Sequence, residues 1–420
     1  MPSASCTAAR NKTSGCLGFA LRTLVECIVM QVGKLTVKTD AQTFAPAINR
    51  IQTVKISTVL DRYQGLAPGF DFMRLSLAVL IFYAHTKFAL GSFGTADLFD
   101  ATPMRPGLQV PSLVAVPLIS EIKARLYVLA VPMFFALSGF LVTGSAIRLG
   151  SVGRFLEFRL LRIFPALLVE ISLSAFLLGI LFSNLPIRDY LASPMFWRYF
   201  GNIIGENWFW LPGVFSENPS PLVNANLWTL PAEFDCYLIM AGLMATGLVL
   251  RRKIFLACFG IATLGLIVAS LATGYGVRTS VWSIPAVVYC FFTGVVFFQW
   301  REKIPLNFGW MAVSVLWVLL TFRSASLCFL VPIPLTYIVV YLGCNPRLAM
   351  PFMKGRDYSY GIYLYGFPIT QAVVAAYPGI GRFALFPTAL AVTLLFAALS
   401  WHWIEKPSLR LKRQRSKITQ

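Results

Sequence analysis

From residue 70 onward, the chain alternates between long apolar segments and short groups of basic residues. Ten apolar segments approach the length of a membrane-spanning helix, and they are residues 70–91, 126–147, 163–183, 228–250, 254–274, 281–299, 307–322, 325–343, 358–377 and 383–403. Several contain proline or glycine, which membrane helices tolerate because neighbouring helices satisfy the freed backbone groups. The pattern predicts an all-α fold, a polytopic membrane bundle of about ten transmembrane helices.

The basic groups follow the even-numbered apolar segments, whereas the odd-numbered ends carry few or balanced charges. Because cytoplasmic loops of membrane proteins are rich in lysine and arginine, this pattern predicts an even number of spans with both termini in the cytoplasm. Residues 1–68 are then an N-terminal cytoplasmic extension, residues 69–407 the transmembrane domain, and residues 408–420 a basic cytoplasmic tail. The aromatic segment 184–227 is predicted to lie outside, on or within the membrane interface.

The composition agrees with an integral membrane protein. Only 13% of the 420 residues are charged and the mean hydropathy is +0.70, whereas soluble domains contain about 25% charged residues. The formal net charge of +19 does not indicate a nucleic-acid partner, because the chain has no soluble basic domain. No metal is expected, since the eight cysteines form no CxxC pair and a histidine with scattered carboxylates makes a poor metal site. The predicted location is the cell inner membrane, with membrane lipid as a partner.

Arg74 and His85 are the first candidates for chemistry. The chain has only two histidines, and His85 lies in the first apolar segment, eleven residues after Arg74. Eleven residues are about three helical turns, or about 16 Å, so the two side chains share a helix face. With Arg74 at one surface, His85 would lie near the middle of a hydrocarbon core about 30 Å thick, where ionisable groups often mark a site. A neutral imidazole can accept a proton from a hydroxyl nucleophile. The alternative is a histidine that is hydrogen-bonded to a neighbouring helix.

Arg159 and Arg162 form a second candidate, at the predicted cytoplasmic entrance of the third span. They are three residues apart and therefore share a helix face. Two guanidinium groups in that position suit the phosphates of a nucleotide-containing donor such as an acyl-CoA. The alternative interpretation is that they only anchor the span on the cytoplasmic side.

Two carboxylates open the fourth segment. Glu233 and Asp235 are two residues apart and therefore point to different faces of a helix. We expect one of them to turn inward, and ion pairing with arginine is the alternative role. Glu170 in the third segment is a weaker candidate. The pair Ser138-Gly139 in the second segment is predicted to let helices pack closely, because both residues are small. Ser138 could act as a nucleophile only with a base beside it, and the sequence shows none.

Six motifs, taken in order, resemble the acyltransferase-3 family of membrane O-acyltransferases. They are Arg74-x10-His85, Met133–Leu141 (MFFALSGFL), Arg159–Pro165 (RLLRIFP), Leu227–Phe234 (LWTLPAEF), Tyr358–Pro368 (YSYGIYLYGFP) and Trp403–Pro407 (WIEKP). They extend over residues 70–407, so the resemblance covers nearly all of the apolar part of the chain.

The resemblance implies roles for particular residues. His85 would be the catalytic base or acyl relay with Arg74 as its partner, Arg159 and Arg162 the donor-side pair, and Glu233 an acid of the fourth-span motif. Two positions depart from the family pattern. Gly366 stands where many members have histidine, and Pro231-Ala232 precede Glu233 in place of the commoner small and acidic residues.

The sequence therefore predicts a membrane acyltransferase that moves an acyl group, taken as acetyl, from cytoplasmic acyl-CoA to a hydroxyl of an envelope or secreted glycan or glycolipid. A proton-coupled transporter or glycan exporter is the alternative, because intramembrane histidine, arginine and glutamate also suit transport. No internal repeat supports that alternative. A non-catalytic scaffold in a polysaccharide synthase complex is a third hypothesis.

Overall fold

The computed structural model of the protein describes residues 54–91, 118–273, 284–321 and 328–410, apart from positions 352 and 354. Helices dominate this part of the chain, and no strand occurs among the described residues beyond two isolated bridges. The helices are α1 (Ile56–Arg62), α2 (Gly69–Ala89), α3 (Leu118–Leu149), α4 (Val152–Ser172), α5 (Ile187–Ala192), α6 (Pro194–Tyr199), α7 (Leu230–Ala245), α8 (Arg252–Thr273), α9 (Ile284–Gln299), α10 (Phe308–Thr321), α11 (Pro332–Gly343), α12 (Ser359–Ala376) and α13 (Arg382–Ser400).

Each of the ten predicted spans overlaps one of these helices. By length and composition, four helical segments could cross a membrane, and they are Leu129–Leu149, Val152–Phe182, Arg252–Ala269 and Arg382–Arg410. Helices α9, α10 and α11 are apolar but shorter. The predicted all-α membrane fold is therefore confirmed for the described residues. The count of ten crossings and the cytoplasmic position of both termini stay predictions.

Helix α4 begins earlier than the sequence pattern predicted. The third apolar segment starts at residue 163, but the helix begins at Val152 and continues through a π-helical turn to Phe182. Arginine is a good helix former, so Arg159 and Arg162 interrupt the apolar pattern without ending the helix. Both arginines consequently lie within the helix, where their side chains can reach its neighbours.

Residues 54–68 pack on the helical body. The side chains of Ile56 and Leu60 in α1 are buried. The amide of Ile56 donates to the carbonyl of Ile304 at 3.2 Å, and the amide of Leu306 donates to the carbonyl of Val54 at 2.7 Å. Most of the predicted extension and nearly all of the predicted basic tail lie outside the described residues.

Two glycines let α3 and α9 approach each other closely. A Cβ atom at Gly139 would overlap the carbonyl oxygen of Phe291, and one at Gly294 would overlap the carbonyl oxygen of Ala136. This contact confirms the packing role that the sequence predicted for Ser138-Gly139. It holds α9 against α3, the helix that forms most of the apolar cavity wall.

The segment between α4 and α7 folds against the helices. Its rings of Tyr190, Phe196 and Tyr199 are fully buried, and the Tyr190 hydroxyl donates to the Ala175 carbonyl at 2.6 Å. Trp197 is 63% exposed, which suits the predicted interfacial position. Its depth in a membrane stays a prediction.

Pro368 removes one backbone hydrogen bond from α12, and the segment between α4 and α7 supplies the replacement donor. A proline has no amide hydrogen, so it leaves the carbonyl four residues earlier without its helical partner. That carbonyl belongs to Leu364, and the side-chain amide of Asn224 donates to it at 3.0 Å. The same amide donates to Glu170 at 2.8 Å. Glu170 is buried, and it also accepts a hydrogen bond from Ser174 at 2.7 Å. Asn224 thus joins α4 and α12 next to Phe367.

Candidate active site

A cavity of about 320 Å³ lies between helices α2, α3, α4, α7, α9 and α12. Its apolar walls come mainly from α3, including Phe134, Leu137 and Phe140. Its polar lining consists of Arg74, Ser138, Ser145, Arg148, Arg159, Arg162, Thr229, Glu233, Tyr237, Asp357, Ser359, Tyr360 and Tyr363. A mixture of apolar walls and a few converging polar groups is typical of small-molecule sites.

Four of the five predicted site residues line this cavity together. Arg74 comes from α2, Arg159 and Arg162 from α4, and Glu233 from α7. The fold therefore brings together residues that are up to 159 positions apart in the sequence. His85 is the fifth predicted residue, and it is not part of the lining.

A cluster of ion pairs centres on Asp357 at the start of α12. Its Oδ2 atom lies 2.6 Å from a terminal nitrogen of Arg162 and 3.4 Å from a terminal nitrogen of Arg74. Arg162 also contacts Glu405 at 3.1 Å, and that carboxylate is 1% exposed. Arg74 is 3.8 Å from Asp71. The two arginines that the sequence assigned to different tasks thus share one carboxylate.

The charge of Asp357 is stabilised by its neighbours. Burial alone would raise its pKa, but the guanidinium groups of Arg162 and Arg74 and two hydrogen bonds from Ser359 together lower the pKa from 3.8 to about 2. Asp357 is consequently ionised throughout the physiological range.

The sequence did not lead us to predict Asp357 as a site residue. One signal was available, because Asp357 is the only acidic residue between Glu302 and Glu405. A single carboxylate in such an apolar stretch of a basic chain needs a cationic partner.

Arg148 and Arg159 differ from the other two cavity arginines. Neither contacts a carboxylate within the described part of the chain. Arg159 donates to the hydroxyl of Ser145 at 3.0 Å, and its guanidinium carbon lies 5.6 Å from the ring centres of Phe155 and Tyr237. Its Nε atom is buried and has no hydrogen-bond partner among the described residues.

Glu233 and Asp235 lie on different faces of α7, as their spacing predicted. Glu233 lines the cavity and accepts a hydrogen bond from the Tyr237 hydroxyl, whereas Asp235 is exposed. Ser138 lies beside that same hydroxyl. Glu233 also lies near enough to Arg159 and Arg162 for their charges to act on it. The inward carboxylate is therefore held by a tyrosine and faces two cations.

His85 lies one layer beyond the inner end of the cavity. The last α2 residue in the lining is Ile81, one turn before His85, and the last α12 residue is Tyr363, one turn before Phe367. The rings of His85 and Phe367 touch edge to face with centres 5.5 Å apart. The Nδ1 atom of His85 is buried without a hydrogen-bond partner among the described residues. His85 is also four residues from the end of α2 at Ala89, so it lies closer to the end of the helix than to its middle.

Gly366 has a packing reason in this chain. A Cβ atom at this position would lie 2.7 Å from a ring carbon of Phe82 on α2. A histidine in α12 at position 366 would therefore require the ring of Phe82 to move. As for metals, the described part of the chain contains no group of three metal-ligating side chains.

The family model for an acyltransferase domain, acyltransferase-3, matches residues 68–402. The chain belongs to the acyltransferase-3 family. The match confirms the resemblance inferred from the six motifs, and it includes the whole cavity apart from the turn at Gly65 and Leu66.

Two relatives of this acyltransferase-3 protein align with the chain over most of their own lengths. An O-acetyl transferase of Shigella phage Sf6 is 30% identical over 292 residues, which are 66% of this chain and 84% of the phage protein. Nodulation protein 10 of Rhizobium leguminosarum bv. viciae is 27% identical over 309 residues, which are 67% of this chain and 82% of that protein. No solved structure matches the chain.

Proposed function

We propose that the protein is a membrane O-acetyltransferase that moves an acetyl group from cytoplasmic acetyl-CoA to a hydroxyl of an envelope or secreted glycan or glycolipid. The family match supports acyl transfer over transport, and the phage relative is named an O-acetyl transferase. The observation that carries the proposal is one cavity with four arginines at its wall and a histidine one turn beyond its inner end. The proposed location is the inner membrane.

The cavity has the polarity that a CoA thioester requires. Arg148 and Arg159 lie at the end formed by the turn at Gly65 and the start of α4, where the basic loops predict the cytoplasm. The apolar wall of α3 leads from there towards Ile81 and Tyr363. A donor held by its phosphates at the basic end would point its acyl group towards His85.

In the proposed reaction, His85 is the base that accepts the proton of the acceptor hydroxyl. The acceptor hydroxyl enters from the side opposite the donor, and its proton passes to the imidazole as the oxygen attacks the thioester carbonyl. The new ester C–O bond forms, the C–S bond breaks, and the thiolate of CoA takes the proton back from His85. Movement of Ile81, Tyr363 or Phe367 must open the layer between the two substrates for this step.

A transfer assay tests the proposal directly. Membranes that contain the wild-type protein, His85→Ala or His402→Ala are given acetyl-CoA labelled in the acetyl group, and the label is followed into glycan together with released CoA. His402→Ala is the matched control, because His402 is the other histidine of the chain and is exposed. We expect transfer by wild type and His402→Ala, and a loss of at least about 100-fold in His85→Ala.

Each result has a clear meaning if both variants are present at wild-type levels. Equal transfer by His85→Ala would show that the histidine is not the base. Absence of label with the wild-type protein, from acetyl-CoA and from longer acyl-CoA donors, would refute acyl transfer from CoA.

A further inference from the structure

Seven hydroxyl groups line the cavity within the described part of the chain. Six of them are hydrogen-bonded to a carbonyl, a carboxylate, an arginine or one another, and they are those of Ser145, Thr229, Tyr237, Ser359, Tyr360 and Tyr363. The seventh belongs to Ser138 of α3. It makes no hydrogen bond to the described residues of its own helix, whereas Thr143 in α3 donates to the carbonyl four residues before it at 2.7 Å. Ser138 is therefore the lining hydroxyl that is available for chemistry.

A possible base lies next to Ser138. Its neighbour is the hydroxyl of Tyr237 on α7. Tyr237 donates its own hydrogen to Glu233, one turn earlier on the same helix, so its oxygen is free to accept the hydrogen of Ser138. The three groups form a series in which each hydroxyl directs its proton to the next oxygen. Sequence spacing could not show this base, since Ser138 and Tyr237 lie on helices that are far apart in the chain.

The backbone beside Ser138 is held firmly. A Cβ atom at Gly139 would overlap the carbonyl oxygen of Phe291, and one at Gly294 would lie 2.6 Å from the amide nitrogen of Phe140. Helices α3 and α9 therefore meet backbone to backbone next to Ser138. A reacting group on such a rigid element keeps its orientation towards the donor and towards its base.

Ser138 also lies on the path that the proposed function gives to the acyl group. It is ten residues before Arg148 in α3, or about 15 Å along the helix axis, so it lies inward of the basic end of the cavity. His85 does not line the cavity and lies beyond the layer at its inner end. A hydroxyl inside the cavity can therefore take the acyl group before that layer opens.

We propose that Ser138 is a nucleophile that carries the acetyl group from acetyl-CoA to the acceptor, with Tyr237 and Glu233 as its base. This inference rests on the proposed function and divides its transfer into two steps. In the first step, the Ser138 oxygen attacks the thioester carbonyl, its proton passes to Tyr237, and the tyrosine proton passes to Glu233. The ester C–O bond forms, the C–S bond breaks, and the thiolate of CoA takes the proton back through Tyr237.

The second step begins when CoA has left and the acceptor hydroxyl attacks the seryl ester. The proton of that hydroxyl passes to His85, the new ester C–O bond forms, and the bond between the Ser138 oxygen and the acetyl group breaks. The seryl oxygen then takes the proton from His85, so both residues return to their starting states. The layer at the inner end of the cavity needs to open only in this step.

Trapping of the acetylated protein tests the proposal. The full-length protein in nanodiscs is incubated with acetyl-CoA labelled in the acetyl group but without acceptor, denatured in acid, digested and mapped by mass spectrometry. We expect label at Ser138 in the wild-type protein and at least as much in His85→Ala, where the second step fails. Ser138→Ala should stay unlabelled. Ser145→Ala is the matched control, because Ser145 lines the same wall of α3, and it should still be labelled at Ser138.

Three further variants test the base and the nucleophile. Tyr237→Phe and Glu233→Gln nearly keep the size of each side chain but interrupt the proton path. We expect each to slow the acetylation of Ser138 by about 100-fold or more, and to leave the Kd for CoA in a calorimetric titration within about twofold. A purely structural role would instead weaken the binding of CoA. Ser138→Cys supplies another nucleophile and should take up label at position 138.

The outcomes separate this inference from the proposed function. The seryl ester is wrong, and the proposed function stands, if Ser138→Ala with the wild-type Tm transfers acetyl groups to glycan as fast as the wild type. The same conclusion follows if label appears on His85 in place of Ser138, or if the wild type transfers while neither it nor His85→Ala takes up label. Label on Ser138 without transfer to any glycan would support the seryl ester and refute the proposed acceptor. Absence of both label and transfer would refute both proposals.

Discussion

Asp357 joins two arginines that belong to different helices, Arg74 of α2 and Arg162 of α4. It is 16% exposed, so its charge is only partly solvated and depends on these partners. The carboxylate therefore fixes the position of two cavity cations at once.

Replacement of Asp357 by asparagine should destabilise the protein by about 1–3 kcal/mol, because Arg162 and Arg74 each lose a carboxylate in a mostly buried place. Thermal unfolding in detergent micelles would measure the change. The control is Glu302→Gln, which breaks an exposed pair with Arg252 (57% and 42% exposed) and should cost no more than about 0.5 kcal/mol. Equal effects of the two variants would refute a structural role for the cluster.

The pH dependence of that difference has a defined sign. Asp357 has a lower pKa in the folded protein, about 2 instead of 3.8, so its contribution to stability is present above about pH 4 and is lost as the pH falls towards 2. The gap in Tm between wild type and Asp357→Asn should be constant from pH 8 to about pH 5 and narrow below about pH 4. A gap that narrows near pH 6 would contradict the lowered pKa.

At the scale of elements, close helix contacts and one bridging loop hold the cavity walls. Spacing along one helix predicted two of these features, the packing at Gly139 and the opposed faces of Glu233 and Asp235. Both depend only on the helical period. The pairing of Arg162 with Asp357 joins residues 195 positions apart, and local periodicity carries no information about such a pair. The early start of α4 was missed for the same reason, since hydropathy counts an arginine as polar regardless of its partner.

The crossing of α3 and α9 should be intolerant of a methyl group. Gly294→Ala would overlap the backbone of α3 at Ala136 and Phe140, and we expect a loss of at least about 1–3 kcal/mol. Gly242→Ala in α7 is the matched control, because nothing lies within 4 Å of its Cβ position. The control should be neutral, or stabilising by up to about 1 kcal/mol. Unfolding curves that rank the two variants in the opposite order would contradict the close crossing.

The bridge from Asn224 to α12 should depend on Pro368. Asn224→Ala leaves the Leu364 carbonyl without a partner, at an expected cost of about 1–3 kcal/mol. In a Pro368→Ala background, the new amide at position 368 can donate to that carbonyl, so the same change should cost less. A double-mutant cycle measured by thermal unfolding gives the coupling. An equal cost in both backgrounds would show that Asn224 acts through Glu170 and its own loop alone.

At the scale of the whole molecule, the basic end of the cavity and the aromatic segment 184–227 lie at opposite ends of one long helix. Val152–Phe182 is a continuous segment of 31 residues, or about 46 Å of helix. A helix of this length exceeds the hydrocarbon core of about 30 Å. We therefore predict that its two ends lie on opposite sides of the membrane, and the basic loops predict that the start of α4 lies on the cytoplasmic side.

Cysteine labelling tests this orientation. In a background without the eight native cysteines, Gly153→Cys and Trp197→Cys place single thiols at exposed positions near the two ends. A membrane-impermeant maleimide added to intact spheroplasts should label position 197 only, and permeabilised cells should be labelled at both. The reverse pattern would refute the cytoplasmic position of the basic loops.

The layer formed by Ile81, Tyr363 and Phe367 has a consequence for the energy supply of the cell. The cavity lies on one side of this layer, and His85 lies on the other. An unbroken file of water between them would let protons flow down their gradient through the histidine. Under the proposed function, the layer would block that proton path, so that acetyl groups could be transferred across the membrane without loss of the proton-motive force.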